Sequence, residues 1–505
     1  MDTVLNDQLK YARHLSDNGR YAEAITAFRV LLAHAPESAD AWYELGWLLK
    51  RQGQAAPALE AYGQALAQGI KAPEEVHLNR AVIQTDLLHD HVAAEASLHR
   101  ALVCVPHYPP ALLNLGNLCE DLGRTEEAAA HYRALIGANP ETSVESEWQA
   151  LGTARLLSLP GPRASDDSLL RRCIEVVGSG NQLTAAVRAN LWFAIGHAHE
   201  ARMNYDDAFQ AFAQGNRCSA SQGGSYSPRA MEATVDALIR SLASRKPLRR
   251  AEVPEVLKPL FICGMFRSGS TLIEQVLAAH PAVMAGGERL FFPALAGGPL
   301  APYPTALARL DDARCVALAE DYLAESAQLG PASRASWMTD KRPDNILLLD
   351  LVTRVFPHAK VLLTRRDPID TGLSVYQQHL EQQQAPYSSD LRAIGHYSGE
   401  LWRWTRYCSA ALGDQLRVFD YDAFVRDPEA ELRPLLAWLD LDWNPRCLSF
   451  HAHAVSVKTA SVHQVRRPLY ADSSGRWRVY ARHLQPLLEA LCEAGLIDAD
   501  GRRRD

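Results

Sequence analysis

The stretch Lys258-Pro-Leu-Phe-Ile-Cys-Gly-Met-Phe-Arg-Ser-Gly-Ser-Thr271 decides the fold of half the chain. Its opening run, Lys258 to Gly264, is short and apolar, as a strand buried in a parallel sheet must be. Beyond the loop, Leu272-Ile-Glu-Gln-Val-Leu-Ala-Ala279 places apolar residues at helical spacing. A strand feeding a glycine-rich turn and then a helix N-terminus makes an anion cradle. The first-turn N–H groups and the positive end of the helix dipole point into the loop.

Gly264, Gly269 and Thr271 keep the spacing of a phosphate-binding P-loop, with Ser270 in the place of its lysine. A nucleotide hydrolase needs that lysine and an acid to hold magnesium, which disfavours an ATP-type kinase. The cation here is Arg267, inside the loop. A second constellation is Lys360-Val-Leu-Leu-Thr-Arg-Arg-Asp-Pro368, an apolar strand that ends in Arg365 and Arg366. Pro368 then opens a helix, with Ser374 about two turns in. Ligands of open α/β sheets lie beyond the carboxyl ends of the strands, so a guanidinium and a hydroxyl there suit a second phosphate. The two sites together predict a ligand phosphorylated at both ends.

The first half of the chain is periodic. Ala24, Ala58, Ala94 and Ala128 lie 34, 36 and 34 residues apart, each followed four positions later by Phe28, Tyr62, Leu98 or Tyr132. Pro36, Pro106 and Pro140 close three of the units, and Gly46 and Gly116 hold equivalent places after Leu45 and Leu115. A small residue lets two helix axes approach while the bulky one fills the gap beside it. This pattern resembles tetratricopeptide repeats over about residues 5–140, and Gly196, Ala208 and Phe212 repeat the same spacing. Between the copies, Leu159 to Asp167 reads as an irregular connector with Ser165 as the expected helix cap. An α-solenoid over residues 1–240 follows. Its concave face would bind a protein or peptide, or it would serve as a scaffold; the repeats alone favour neither.

Composition narrows the functions. Across 505 residues, 47% are hydrophobic and 22% charged, and the formal net charge is −7. No global positive field draws such a molecule onto nucleic acid, so an anion site must be built locally. The start lacks the pattern of a secretory signal, and no apolar run reaches the roughly 18 residues of a membrane span. Nine cysteines stand singly, which reads as reduced thiols of a cytoplasmic protein rather than disulfides or zinc ligands.

The second half also carries a resemblance. Phe266-Arg-Ser-Gly-Ser-Thr-Leu-Ile-Glu274, then Ala279-His-Pro281 and Gly287-Glu288, resemble the 5′-phosphosulfate loop of sulfotransferases. Arg366-Asp-Pro368 to Ser374 resembles their 3′-phosphate motif. The likeness runs from about residue 258 to 485. Together with the repeats it resembles a bacterial tetratricopeptide-repeat sulfotransferase family, with a catalytic half similar to tyrosylprotein sulfotransferases. The resemblance implies the donor 3′-phosphoadenosine 5′-phosphosulfate (PAPS), no metal, and a P-loop-like α/β sulfotransferase domain with a parallel sheet over residues 250–495.

It also implies roles. Arg267, Ser268, Gly269, Ser270 and Thr271 would hold the 5′-phosphosulfate, and Arg366 and Ser374 the 3′-phosphate. Tyr421, in Phe419-Asp-Tyr-Asp, matches a tyrosine of a family segment. Ser461, Gln464 and Arg467 match a loop that folds over the nucleotide, and Arg476, with Trp477, matches a terminal basic-aromatic pair. Glu288 matches the catalytic base and Lys341 the lysine beside the transferring group. The chemistry asks for such a set: a carboxylate takes the acceptor's proton, and cations such as Arg267 and Lys341 stabilise the developing charge. Gln378 stands where tyrosylprotein sulfotransferases carry an arginine, a loss that Arg365 is expected to offset. Histidine is the rival base. His280 reads as a capping or packing residue, whereas His379 and His396 are placed to line an acceptor cleft.

The expected activity is PAPS-dependent O-sulfation of a protein or peptide hydroxyl, tyrosine among the candidates, presented by the repeats. The alternatives are sulfation of a carbohydrate or small metabolite, with the repeats used for assembly, and a nucleotide-binding adaptor without catalysis. Self-association stays open.

Overall fold

The computed structural model describes residues 3–137, 143–161, 166–179, 183–245, 257–327, 335–452, 469 and 474–504. Ser165, the expected cap, lies outside them. The helix it was to open is capped by Asp166, whose carboxylate accepts from the Ser168 and Leu169 N–H groups. By its internal contacts the chain forms two compact units, Met1–Leu156 and Leu157–Asp505.

The first unit is a run of helix pairs: α1 (Thr3–Asp17) with α2 (Tyr21–His34), α3 (Ala39–Arg51) with α4 (Ala55–Ala67), α5 (Pro73–Asp86) with α6 (His91–Cys104), and α7 (Pro109–Asp121) with α8 (Thr125–Gly137). Prolines open α5 and α7, and Asp90 caps α6 by accepting from the Ala93 N–H at 3.0 Å. The glycine–aromatic register sets the pairing. A Cβ on Gly46 would stand 2.8 Å from the Tyr62 ring, and one on Gly116 would collide with the Tyr132 ring. Ala24, Ala58, Ala94 and Ala128 are fully buried, as are Phe28, Tyr62 and Tyr132.

The first unit also holds most of α9 (Ser143–Ser158), and the second, from Leu157, carries α10 (Asp167–Gly178), α11 (Ala185–Ala201), α12 (Tyr205–Ala220) and α13 (Pro228–Ala243). Gly196 of α11 faces the Phe212 ring of α12, so the repeat-like spacing again marks a helix hairpin. Phe193, Phe212, Met231 and Val235 share a core with sheet residues Phe261, Cys263, Val361 and Leu363. That shared core explains why helices expected to belong with the solenoid over residues 1–240 pack in the same compact unit as the sheet.

Five parallel strands, β1 (Lys258–Gly264), β2 (Val283–Ala285), β3 (Trp337–Lys341), β4 (Lys360–Arg365) and β5 (Leu416–Asp420), lie in the order β2-β3-β1-β4-β5. Side chains of β1 alternate between two cores. Leu260 and Ile262 pack with Ile273, Val276 and Leu277 of α14 (Ser270–Ala278), while Phe261 and Cys263 pack with Phe292, Tyr322 and Phe356. A sheet covered on both faces needs such continuously apolar strands. Strand order reverses about β1, and the crevice beyond the ends of β1 and β4 is where such sheets bind ligands. Among the described residues no helix is long and apolar enough to cross a membrane.

The tight glycine–tyrosine contact gives a test. Gly116→Ala forces the Tyr132 ring to move and lowers the unfolding free energy by about 1–3 kcal/mol. The measurement is a urea titration followed by helical circular dichroism.

Candidate active site

The loop after β1 is held open by backbone that few residues adopt. Gly264 has φ +150°, Arg267 φ +69° and Gly269 φ +102°. A Cβ on Gly264 would stand 2.6 Å from the Thr364 carbonyl oxygen, so only glycine lets the ends of β1 and β4 come this close. The Ser268 hydroxyl is buried between the Met265 carbonyl and the Thr364 hydroxyl, each at 2.6 Å, and so ties the loop to β4. Ser268 therefore turns its side chain to the scaffold, and Gly269, Ser270 and Thr271 form the N-terminus of α14. Arg267, a non-glycine residue in the left-handed region, stores strain of the kind found at working sites. Its Nε donates to Ser374 Oγ at 3.0 Å. The residues assigned by resemblance to opposite ends of the donor thus touch directly.

Past β4, Asp367 caps α18 (Pro368–Tyr376), accepting from the Ile369 and Asp370 N–H groups. Arg366 lies 5.0 Å from the centroid of the Tyr421 ring, and that ring covers Gly269, where a Cβ would come within 2.5 Å. Arg366, Tyr421 and the glycine loop therefore form one stack. Asp422, beside Tyr421, accepts from the Asp367 N–H and the Ser474 hydroxyl, both at 2.6 Å. Asp370 accepts from the N–H groups of Gly475 at 2.5 Å and Trp477 at 2.8 Å, which fixes the backbone on either side of Arg476. Burial pushes the carboxyls of Asp367 and Asp370 up, against the pull of those N–H donors. Arg365, expected to replace the cation missing at Gln378, stacks on Trp402 at 4.2 Å, donates to the Arg504 carbonyl and lines the same cavity as Arg366.

Glu288 and Lys341 meet. The Lys341 Nζ pairs with Glu288 Oε1, and the Lys341 N–H donates to the Gly287 carbonyl at 2.9 Å. Lys341 ends β3 and is 1% exposed in its side chain, whereas Glu288 is 35% exposed and reachable. The sequence reading missed the group that sets this turn. Glu274, on α14, is buried and accepts from the Thr339 hydroxyl at 2.8 Å, while Thr339 Oγ1 accepts from the Gly286 N–H at 3.1 Å. Burial raises the Glu274 carboxyl, with the nearby Lys341 charge and the Thr339 donation opposing it. An acid within the apolar run of α14 was the available signal. Asp340, next to Lys341, accepts from Tyr322 OH and Asn345 Nδ2, and burial pushes its carboxyl up to about 7.

The histidines stand elsewhere. His280 Nδ1 accepts from the Ala282 N–H at 3.1 Å and its Nε2 lies 3.1 Å from the Asp442 carbonyl, a packing role as expected. The His379 ring stacks on Phe193. His396 lies between Tyr226 and Glu232 and lines a 920 Å³ cavity along α19 (Leu391–Leu412). Ser461, Gln464 and Arg467 fall outside the described residues.

Residues 259–445 match the sulfotransferase family, and residues 9–84 and 88–141 match the tetratricopeptide repeat. An uncharacterized protein of Aquifex aeolicus (strain VF5) is 27% identical over 404 residues, or 77% of this chain and 51% of its own length. The chain thus spans about half of that relative. A putative protein-tyrosine sulfotransferase of Caenorhabditis briggsae is 26% identical over 200 residues, 38% of this chain and 69% of that protein. Among solved structures, the sulfotransferase domain of the Synechococcus PCC 7002 olefin synthase aligns with a TM-score of 0.35 at 20% identity, covering 46% of this chain and 91% of that one. The N-terminal helices are tetratricopeptide repeats. The sheet and its loops form a sulfotransferase-family domain.

Two outcomes follow from the buried polar groups. Thr339→Val removes the hydroxyl joining Glu274 to Gly286 and lowers stability by about 1–3 kcal/mol in urea titration. Because the folded chain keeps a proton on Asp340 that the unfolded chain releases near pH 4, the Asp340 contribution to unfolding free energy falls as pH rises from about 4 to 7. Asp340→Asn therefore makes the slope of unfolding free energy against pH more positive over that range, read from urea titrations.

Proposed function

We propose that the chain is a PAPS-dependent sulfotransferase acting on an acceptor hydroxyl of a protein or peptide, with tyrosine as the leading acceptor and the repeats as the element that presents it. The observation that carries the reading is the Glu288–Lys341 pair, set by Thr339 and Glu274 on the helix that follows the glycine loop. A carboxylate and a buried ammonium, fixed beside an anion cradle, are what transfer of a sulfuryl group between two oxygens requires.

The loop itself fits a dianionic group. Side-chain bulk is excluded at Gly264 and Gly269, and the α14 N–H groups face the cradle. Arg267 through Thr271 would bind the 5′-phosphosulfate, and Arg366, Ser374, Tyr421 and Arg476 the remainder of the nucleotide. When bound, PAPS supplies the sulfuryl group, whose bond to the phosphate oxygen breaks as its bond to the acceptor oxygen forms. Glu288 accepts the proton that the acceptor hydroxyl gives up. Lys341 and Arg267 offset the negative charge gathering on the leaving phosphate. Protein-tyrosine sulfotransferases among the relatives support the peptide acceptor, and the repeats support a bound protein.

The test is incubation of the full chain with radiolabelled PAPS and cell extract, followed by separation of protein, glycan and small-molecule label. Label on protein is the expected result, and label confined to glycans or metabolites overturns the acceptor class. Glu288→Ala reduces turnover by about 100-fold or more while leaving nucleotide affinity nearly intact. Arg366→Ala weakens adenosine 3′,5′-bisphosphate by about tenfold and leaves adenosine 5′-phosphate almost unchanged in calorimetry; equal losses for both contradict its 3′ assignment.

A further inference from the structure

One carboxylate of the α11–α12 hairpin gathers the elements that carry two of the proposed donor contacts. Glu200, near the end of α11, accepts from Tyr480 OH at 2.7 Å and Gln377 Nε2 at 3.0 Å, lies 3.4 Å from His197 Nδ1 and pairs with Arg476. Its side chain is 10% exposed. Burial alone would raise its pKa, but the His197 donation and the Arg476 charge bring it down to about 2, so it is anionic across the working range. Gln377 is the C-cap of α18, the helix of Ser374. Arg476 is therefore gripped twice, its flanking backbone by Asp370 of α18 and its guanidinium by Glu200.

The rest of the hairpin fixes Glu200 in turn. Asn216 Nδ2 donates to the Tyr376 carbonyl at 2.8 Å, and the Phe209 ring stacks on Tyr376 and, at 4.4 Å, on His483. His483 also meets Asp206 at 2.8 Å. A guanidinium tied along one edge to a rigid carboxylate loses little further freedom when it meets an anion, and preorganisation of this kind raises affinity.

We propose that Glu200 is a positioning residue for the donor site, holding the Arg476 guanidinium in place, so that this helical hairpin is a working part of nucleotide binding. The inference rests on the reading of Arg476 as a donor contact.

The test is calorimetry of the full chain with adenosine 3′,5′-bisphosphate. Glu200→Gln keeps the shape and removes the charge; it weakens binding about tenfold, as does Arg476→Ala. The double variant binds no more weakly than Arg476→Ala alone, because Glu200 acts through that side chain. Glu200→Asp, which keeps the charge one methylene short, gives an intermediate loss and supplies the comparison if Glu200→Gln folds poorly. Binding by Glu200→Gln within about twofold of the unaltered chain overturns the proposal, and so do losses that multiply in the double variant. If the unaltered chain itself does not bind the bisphosphate, the donor reading fails, and this inference with it.

Discussion

The ends of β1 and β4 come together closely enough that a single methyl group would part them. Gly264 removes that obstacle, and the Ser268 and Thr364 hydroxyls then lock the two strand ends across the gap. The rest of the site inherits its geometry from this closure. It sets the exit of the glycine loop, brings Arg267 within reach of Ser374, and places Arg366 beneath the Tyr421 ring that caps Gly269. Side chains that are about 100 residues apart in sequence thereby become neighbours, since parallel strands need long crossovers.

Acids, more than bases, do the organising around that crevice. Asp367, Asp370 and Asp422 spend their oxygens on backbone N–H groups and a hydroxyl; Asp367 caps its own helix, while Asp370 and Asp422 join segments distant in sequence. Glu274 does the same for the Gly286–Glu288 turn through Thr339. Buried carboxylates are tolerated because their lone pairs are filled, and satisfied networks of this sort hold one geometry against competitors. Lys341 is held by Glu288, Arg476 by Glu200 and Arg267 by the Ser374 hydroxyl, and Arg366 stacks on Tyr421, so these cations are aimed rather than left to wander.

Legibility in the sequence followed the range of the interaction. The helix hairpins could be read because their packing rule is local: Gly46 against Tyr62 and Gly196 against Phe212 both sit 16 positions apart. The strand–loop–helix at 258–279 was equally readable, since its apolar run and glycines are contiguous. Glu288 and Lys341 were picked out separately by resemblance, and only the sheet shows that they pair. Glu274 escaped notice because nothing about an acid in an apolar helix says which buried hydroxyl awaits it. Glu200 and Asp370 were invisible for the same reason, as their partners lie more than 100 residues away. The Trp402 and Arg504 neighbours of Arg365 could not be read either, since they belong to distant elements.

The register Gly264↔Thr364 also governs how the molecule comes into being. Repeat hairpins close over short loops, which is kinetically easy, whereas β1 cannot find β4 until about 100 intervening residues have been gathered in. By that argument the β1–β4 pairing lags the repeat hairpins, and apolar strand surface stays open to solvent until the crossover is gathered in.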